Sequence, residues 1–194
     1  MEKNILIIGP SRAGKTTLSR KINEELNYYA FSMDKIVTSF MRAYPQLEIN
    51  YTDDKQTAAN LAPFLGHFLG TSCGSYDAVK GNRFVMEGYF DFEKVIPIWD
   101  RYEIGEFKEH FLIIGLNYPY HTHDRLFNDI RKYETEDDWT CGISDDELKS
   151  HVVASIEYSR SFYDEYQKFG SIIYDVSNNR EQVLERIIND IKSK

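Results

Sequence analysis

The run Gly9-Pro10-Ser11-Arg12-Ala13-Gly14-Lys15-Thr16-Thr17 carries the most specific chemistry in the chain. Gly9 to Thr16 fits GxxxxGK[ST] at every fixed position. Glycines let the backbone curl so that successive N–H groups face one anion. In that arrangement Lys15 reaches the β- and γ-phosphates and Thr16 places its hydroxyl on Mg²⁺. The helix that starts there adds the positive end of its dipole. Average residue usage makes a chance match in 194 residues on the order of one in 150, which sets this loop apart from an idle glycine turn. The apolar run Ile5-Leu6-Ile7-Ile8 before it and the helical pattern after it are the context the motif requires. The expected ligand is a nucleoside triphosphate with Mg²⁺. Guanine selectivity would need an NKxD motif, and Asn178-Asn179-Arg180-Glu181 is not one, so the expected nucleotide is ATP.

Two carboxylates stand at strand ends that face the same way as this loop. Asp34 follows an apolar segment and suits a base that orients an acceptor hydroxyl and takes its proton. The plainer reading is a helix N-cap, and the two roles are compatible. Glu87, before Gly88, suits a Mg²⁺ ligand acting directly or through water, alongside Thr16. Asp91 is a weaker neighbour. Cations that could offset charge in the transition state are Arg131 and Arg125, with Arg131 preferred because it lies nearer the acidic stretch Glu134-Thr135-Glu136-Asp137-Asp138. An ion pair between Arg125 and Asp129, four residues apart, is the plainer reading there. Arg160 is held in reserve. Ser177 and Asn178, past the last strand, are candidates for the nucleotide side. His121 and His123 have no third ligand at useful spacing and read as a helix start rather than a metal site. Tyr44, Tyr89 and Phe90 fall where an acceptor pocket belongs, with packing an equal explanation.

The elements that must position these groups alternate along the chain. Strands are expected at Ile5–Ile8, Tyr28–Met33, Phe84–Met86 (bounded by Gly81-Asn82 and Gly88), Phe111–Ile114 and Ser171–Tyr174. Helices are expected from about Lys15 to Leu26, Ile36 to Ala43, Lys55 to Leu69, from Asp145 onward, and from Arg180 to Lys192. This alternation predicts one α/β domain over residues 1–194 with a five-stranded parallel sheet between two helical layers, a three-layer sandwich. Ligands in such sheets bind beyond the carboxyl ends of the strands, here Gly9, Asp34, Glu87, Asn117 and Ser177. Two intervals, 35–83 and 120–144, are too long for plain loops and read as functional insertions.

Taken together, these features resemble the P-loop nucleoside and nucleotide kinases, of the uridine-kinase and small-metabolite-kinase type. The resemblance rests on the phosphate loop, Ser32-Met33-Asp34, Met86-Glu87-Gly88, the segment from Arg125 to Lys132, and the closing strand and helix. It implies a P-loop NTPase fold, a substrate-binding insertion at 35–83 and a mobile lid at 120–144. It also implies transfer of the ATP γ-phosphate to a hydroxyl or phosphate acceptor. The chain departs from the family in its lid, which has fewer arginines than the usual cluster and an acidic stretch after them. A non-catalytic ATP-binding protein or ATPase-type regulatory module is therefore the alternative. Nucleoside, nucleotide and sugar-like acceptors all remain open.

Composition bounds the rest. Hydrophobic residues make up 42% and charged residues 28% of the chain, as in ordinary globular proteins. The net charge of −8 and pI of about 5.2 argue against a nucleic-acid partner. No apolar run approaches the ~20 residues of a membrane span. Met1-Glu2-Lys3-Asn4 lead into an apolar run without a signal-peptide cleavage pattern. Cys73 and Cys141, far apart, suggest neither a disulfide framework nor zinc, and a cytoplasmic setting is expected. The sequence carries no signal for an oligomeric state.

Overall fold

A computed structural model describes residues 3–73, 83–136 and 138–193. The expected bounding residues Gly81-Asn82, and Asp137 in the acidic stretch, lie outside the described residues. The β-branched run near the N-terminus forms β1 (Asn4–Ile8), with every residue from Ile5 to Ile8 buried. It is flanked by β3 (Phe84–Gly88) and β4 (Phe111–Asn117), with β2 (Tyr29–Ser32) outside β3 and β5 (Ile172–Asp175) outside β4. The order is β2-β3-β1-β4-β5, and all four pairings are parallel. Strand β1 is apolar without alternation because both its faces are covered. Ile5 and Ile7 face one helical layer, and Leu6 and Ile8 face the other.

The first layer holds α1 (Lys15–Leu26) and α8 (Arg180–Lys192), through Leu18, Ile22, Leu184, Ile187 and Ile188. The second holds α3 (Asp54–Cys73) and α4 (Phe92–Trp99), through Leu61, Leu65, Leu69, Val95 and Trp99. Helix α7 (Asp145–Gln167) serves both. Its Leu148, Val152 and Ile156 join the first core, and its Phe162 and Tyr166 the second. Each such side chain contributes about 1.5–3 kcal/mol by leaving water, so α7 is a main fastening of the molecule.

Between β3 and β4 the chain forms α4 and the short α5 (Phe107–His110), neither of them expected from the sequence. Pro97 inside α4 masks its helical signal, and Asp91 caps it by accepting the Lys94 N–H at 3.2 Å. Asp91 is thus a capping residue, also paired with Lys94 at 3.7 Å. Helix α2 (Met33–Ala43) begins directly after β2, three residues earlier than the periodicity suggests. Among the described residues no helix is long and apolar enough to cross a membrane.

Candidate functional site

Because all strands are parallel, their carboxyl ends gather on one edge, and the glycine-rich loop lies there between β1 and α1. Gly9 has φ +152°, and a Cβ on it would stand 2.2 Å from the Leu116 carbonyl oxygen of β4. Only glycine lets the loop pass this close. Tyr118, just past β4 and buried, donates its hydroxyl to the Ser11 carbonyl at 2.5 Å and pins the loop from above. Burial raises the Tyr118 phenol above its ordinary range, so it stays protonated and a donor. Ala13 is buried in the core beside Leu18. Arg12 adopts left-handed backbone at φ +64°, a conformation costing a non-glycine residue about 1–2 kcal/mol.

Lys15 opens α1, and its Nζ donates to the Gly9 carbonyl at 2.8 Å and the Pro10 carbonyl at 2.9 Å. Burial lowers the Lys15 pKa, while the charges of Glu87, Asp34 and Asp54 pull it upward. All three carboxylates thus lie within electrostatic reach of one ammonium. Glu87 is 5% exposed and lies in register with Ile7 on one side and Ser32 on the other. Its Oε1 accepts a long hydrogen bond from the Thr16 hydroxyl at 3.4 Å, so the two residues expected at a metal are neighbours. Gly88 follows, and a Cβ there would meet the Met33 Cβ at 2.3 Å, which is how β3 is brought against the start of α2.

Asp34 is not the N-cap of α2. Ser32 fills that place, its hydroxyl oxygen accepting the Asp34 N–H at 3.3 Å. The serine already sits where the extended strand turns into the helix, so the aspartate falls one step inside the first turn. Its carbonyl accepts hydrogen bonds from the Thr38 hydroxyl at 2.8 Å and the Tyr51 hydroxyl at 2.7 Å. Among the described residues no hydrogen bond or ion pair holds its carboxylate. Tyr51 also draws the 48–53 loop onto α2, placing the first turn of α3 beside Asp34. Asp54 lies in that turn. Its carboxyl is raised above the usual aspartate range, by desolvation first and then by Asp34 and Asp53, with Lys15 opposing. Asp54 is a site residue the sequence reading missed. An Asp at a helix start reads as a cap, and its proximity to Lys15 is a matter of how α3 packs in three dimensions.

The aromatic candidates separate. Phe90 is buried and stacks on Phe92 at 5.5 Å, so it belongs to the core. Tyr44 is exposed. Half-buried Tyr89 has its ring 6.0 Å from Tyr158 and 6.5 Å from Tyr166, both on α7. The Tyr158 hydroxyl donates to the Tyr166 hydroxyl at 3.2 Å, and burial raises all three phenols.

On the other side of the loop, Arg125 lies on α6 (His123–Tyr133) and donates to the Asn178 side-chain oxygen at 2.9 Å, and no ion pair with Asp129 forms. Ser177 is buried, its hydroxyl oxygen accepting the Tyr120 N–H at 3.2 Å. The His121 Nε2 donates to the Ser177 carbonyl at 2.9 Å, which gives that ring a structural partner. Burial, then Arg125, lowers the His121 pKa and keeps it neutral. His123 and Arg160 line a separate depression of about 400 Å³ with Tyr120. Arg131 is tied down within its own stretch of chain, between α6 and the start of α7. It donates to Asp145 at 2.8 Å, to Glu134 at 3.2 Å, and to the carbonyls of Thr140 and Ile143 at 3.1 and 2.9 Å. Arg12, from the glycine-rich loop, reaches Asp138 and Thr140.

No protein-family model and no curated protein matches the chain. Solved structures do. A shikimate kinase from Bacteroides thetaiotaomicron superposes with a TM-score of 0.59 at 17% identity, covering 98% of each chain. A gluconokinase from Sinorhizobium meliloti gives 0.56 at 14% identity, covering 99% of this chain and 93% of its own. A sugar kinase from Janibacter gives 0.54 at 17% identity, covering 98% and 96%. The chain thus shares its fold, over nearly its whole length, with these three kinase structures.

Proposed function

We propose that this protein is an ATP-dependent kinase that transfers the γ-phosphoryl group to a hydroxyl of a small molecule. The observation that carries this is the convergence of Lys15, Thr16, Glu87 and Asp34 at the carboxyl edge of β1, β3 and β2. A triphosphate fits the loop: Gly9 lets it lie close against β4, and Lys15 rests on two carbonyls that phosphate oxygens can replace. In this reading Gly9 to Thr17 bind the phosphates, and Ser177 and Asn178 border the nucleoside. Thr16 and Glu87 hold Mg²⁺, which when bound neutralises charge on the phosphate oxygens. Asp34 orients the acceptor hydroxyl and takes its proton on a carboxylate oxygen, while Lys15 offsets the charge that gathers on the phosphoryl group. Arg125 supplies positive charge from the lid side, whereas Arg131 is held by Glu134 and Asp145.

The acceptor side is bounded by Asp34, Asp54 and the tyrosines Tyr89 and Tyr158. Beside Asp34 a depression of about 340 Å³ is lined by Lys35, Thr38 and Ser39. The carboxylates offer acceptors to hydroxyls and amines, while Lys15 and Lys35 beside them offset the repulsion of an anionic group. The acceptor in this reading is a small polyhydroxy compound. ADP release measured with a neutral sugar alcohol, an amino sugar, a sugar acid and a sugar phosphate tests it. Release should depend on one of these acceptors. Release independent of any acceptor, or ATP binding with no turnover across a broad panel, would favour a non-catalytic nucleotide-binding protein. That second reading draws on Arg131, whose guanidinium is fully engaged within the lid.

Glu87→Gln keeps the side-chain volume and an oxygen for Thr16 while removing the charge. It is expected to raise the Mg²⁺ concentration for half-maximal turnover by about 10–100-fold, with a smaller change at saturating metal. A metal titration matching wild type removes Glu87 from the metal site.

A further inference from the structure

An acidic lid over a triphosphate is an electrostatic problem, because Glu134, Glu136 and Asp138 would repel the ligand that the lid covers. Glu134 is neutralised within the lid by Arg131 at 3.2 Å. Asp138 is neutralised by a residue of the phosphate loop itself. Arg12 donates Nη1 to Asp138 Oδ2 at 3.2 Å and Nη2 to the Thr140 hydroxyl oxygen at 2.6 Å. The lid presents both acceptors already organised. Asp138 accepts the Thr135 N–H at 2.8 Å, and Thr140 is fully buried with its carbonyl held by Arg131. The third donor of the fork, Arg12 Nε, is buried without an acceptor. A buried donor left unpaired carries its desolvation penalty, so its native partner is expected to arrive with a ligand.

We propose that Arg12 is the positioning residue that couples the triphosphate to the lid: two of its donors hold Asp138 and Thr140, and Nε serves a phosphate oxygen. The usual polarity of such lids is thereby reversed, with the cation on the loop and the acid on the lid. Phosphate occupancy by this route rests on the reading of the site as a triphosphate cradle, whereas the loop-to-lid bond stands without it. A planar fork is suited to the double contact, and lysine is not.

Amide exchange over residues 138–143 and emission from Trp139, which is 52% exposed, report the lid directly. In the ligand-free protein, Arg12→Ala and Asp138→Asn should each speed exchange roughly tenfold, and the double variant should add little more. A non-hydrolysable ATP analogue should protect the lid in wild type and in neither variant. Arg12→Ala should also weaken analogue binding roughly tenfold, while Asp138→Asn should bind at least as tightly as wild type. This split separates coupling from general loosening. Should Arg12→Ala fail to fold, Arg12→Lys should give faster exchange than wild type through loss of Thr140. Unchanged exchange, additive single effects, or normal analogue protection in Arg12→Ala overturns the proposal. Failure of wild type to bind the analogue overturns the triphosphate reading instead, and exchange in the free protein still decides the loop-to-lid bond.

Discussion

Asp34→Asn is expected to lower kcat by about 10²–10⁴-fold while leaving affinity for ATP largely unchanged. The side chain sits one step inside the first turn of α2, behind the Ser32 cap. The backbone there is fixed from three directions: the cap, Thr38 and Tyr51. Asparagine fits the same place and accepts a hydrogen bond from an alcohol, but it cannot take the proton. The loss therefore falls on the chemical step. The change also removes an acid from the first helical turn, at a cost of about 0.3–1 kcal/mol, too small to unfold the domain. Single-turnover rates and equilibrium ATP binding, measured on the same preparation, separate the two effects. Equal rates in variant and wild type would reduce Asp34 to a helix-dipole role.

Lys15→Ala strikes the other partner of the transfer. Its ammonium feels the charges of Glu87, Asp34 and Asp54 together. Removing it should reduce turnover by about 10²–10³-fold and weaken triphosphate binding as well, because the charge serves both the bound state and the transition state. In the ligand-free protein Lys15 also satisfies the Gly9 and Pro10 carbonyls, which water would take over in the variant. Stability should change by only about 1 kcal/mol for that exchange. A second consequence is independent of any nucleotide. Lys15 holds the Asp54 carboxyl down against desolvation, so its loss should move Asp54 further above the ordinary range. Carboxyl-carbon NMR through a pH titration reads this shift. An Asp54 titration unaltered by the substitution, with ATP turnover intact, would dissolve the cluster as a working site.

The glycine-rich loop's place between β1 and α1, the strand order along the chain and the long helices were legible from residues alone, because each is a local code. Glycine spacing sets the loop, uninterrupted β-branched runs mark strands covered on both faces, and the starts of α1, α7 and α8 fall where expected. The short helices between β3 and β4 were not legible, since a proline and a short span leave too little periodicity. The partners of the functional side chains were out of reach for a different reason. Arg125 meets Asn178, 53 positions away, rather than Asp129 on its own helix, and Arg12 meets Asp138 across 126 positions. Asp54 comes within electrostatic reach of Lys15 through a loop whose Tyr51 hydroxyl bonds to α2 and whose Asn50 bonds to Thr57. Spacing along one helix specifies which residues could pair. The sheet order, by bringing five strand ends to one edge, decides which of them do, and so where the acids of this site stand.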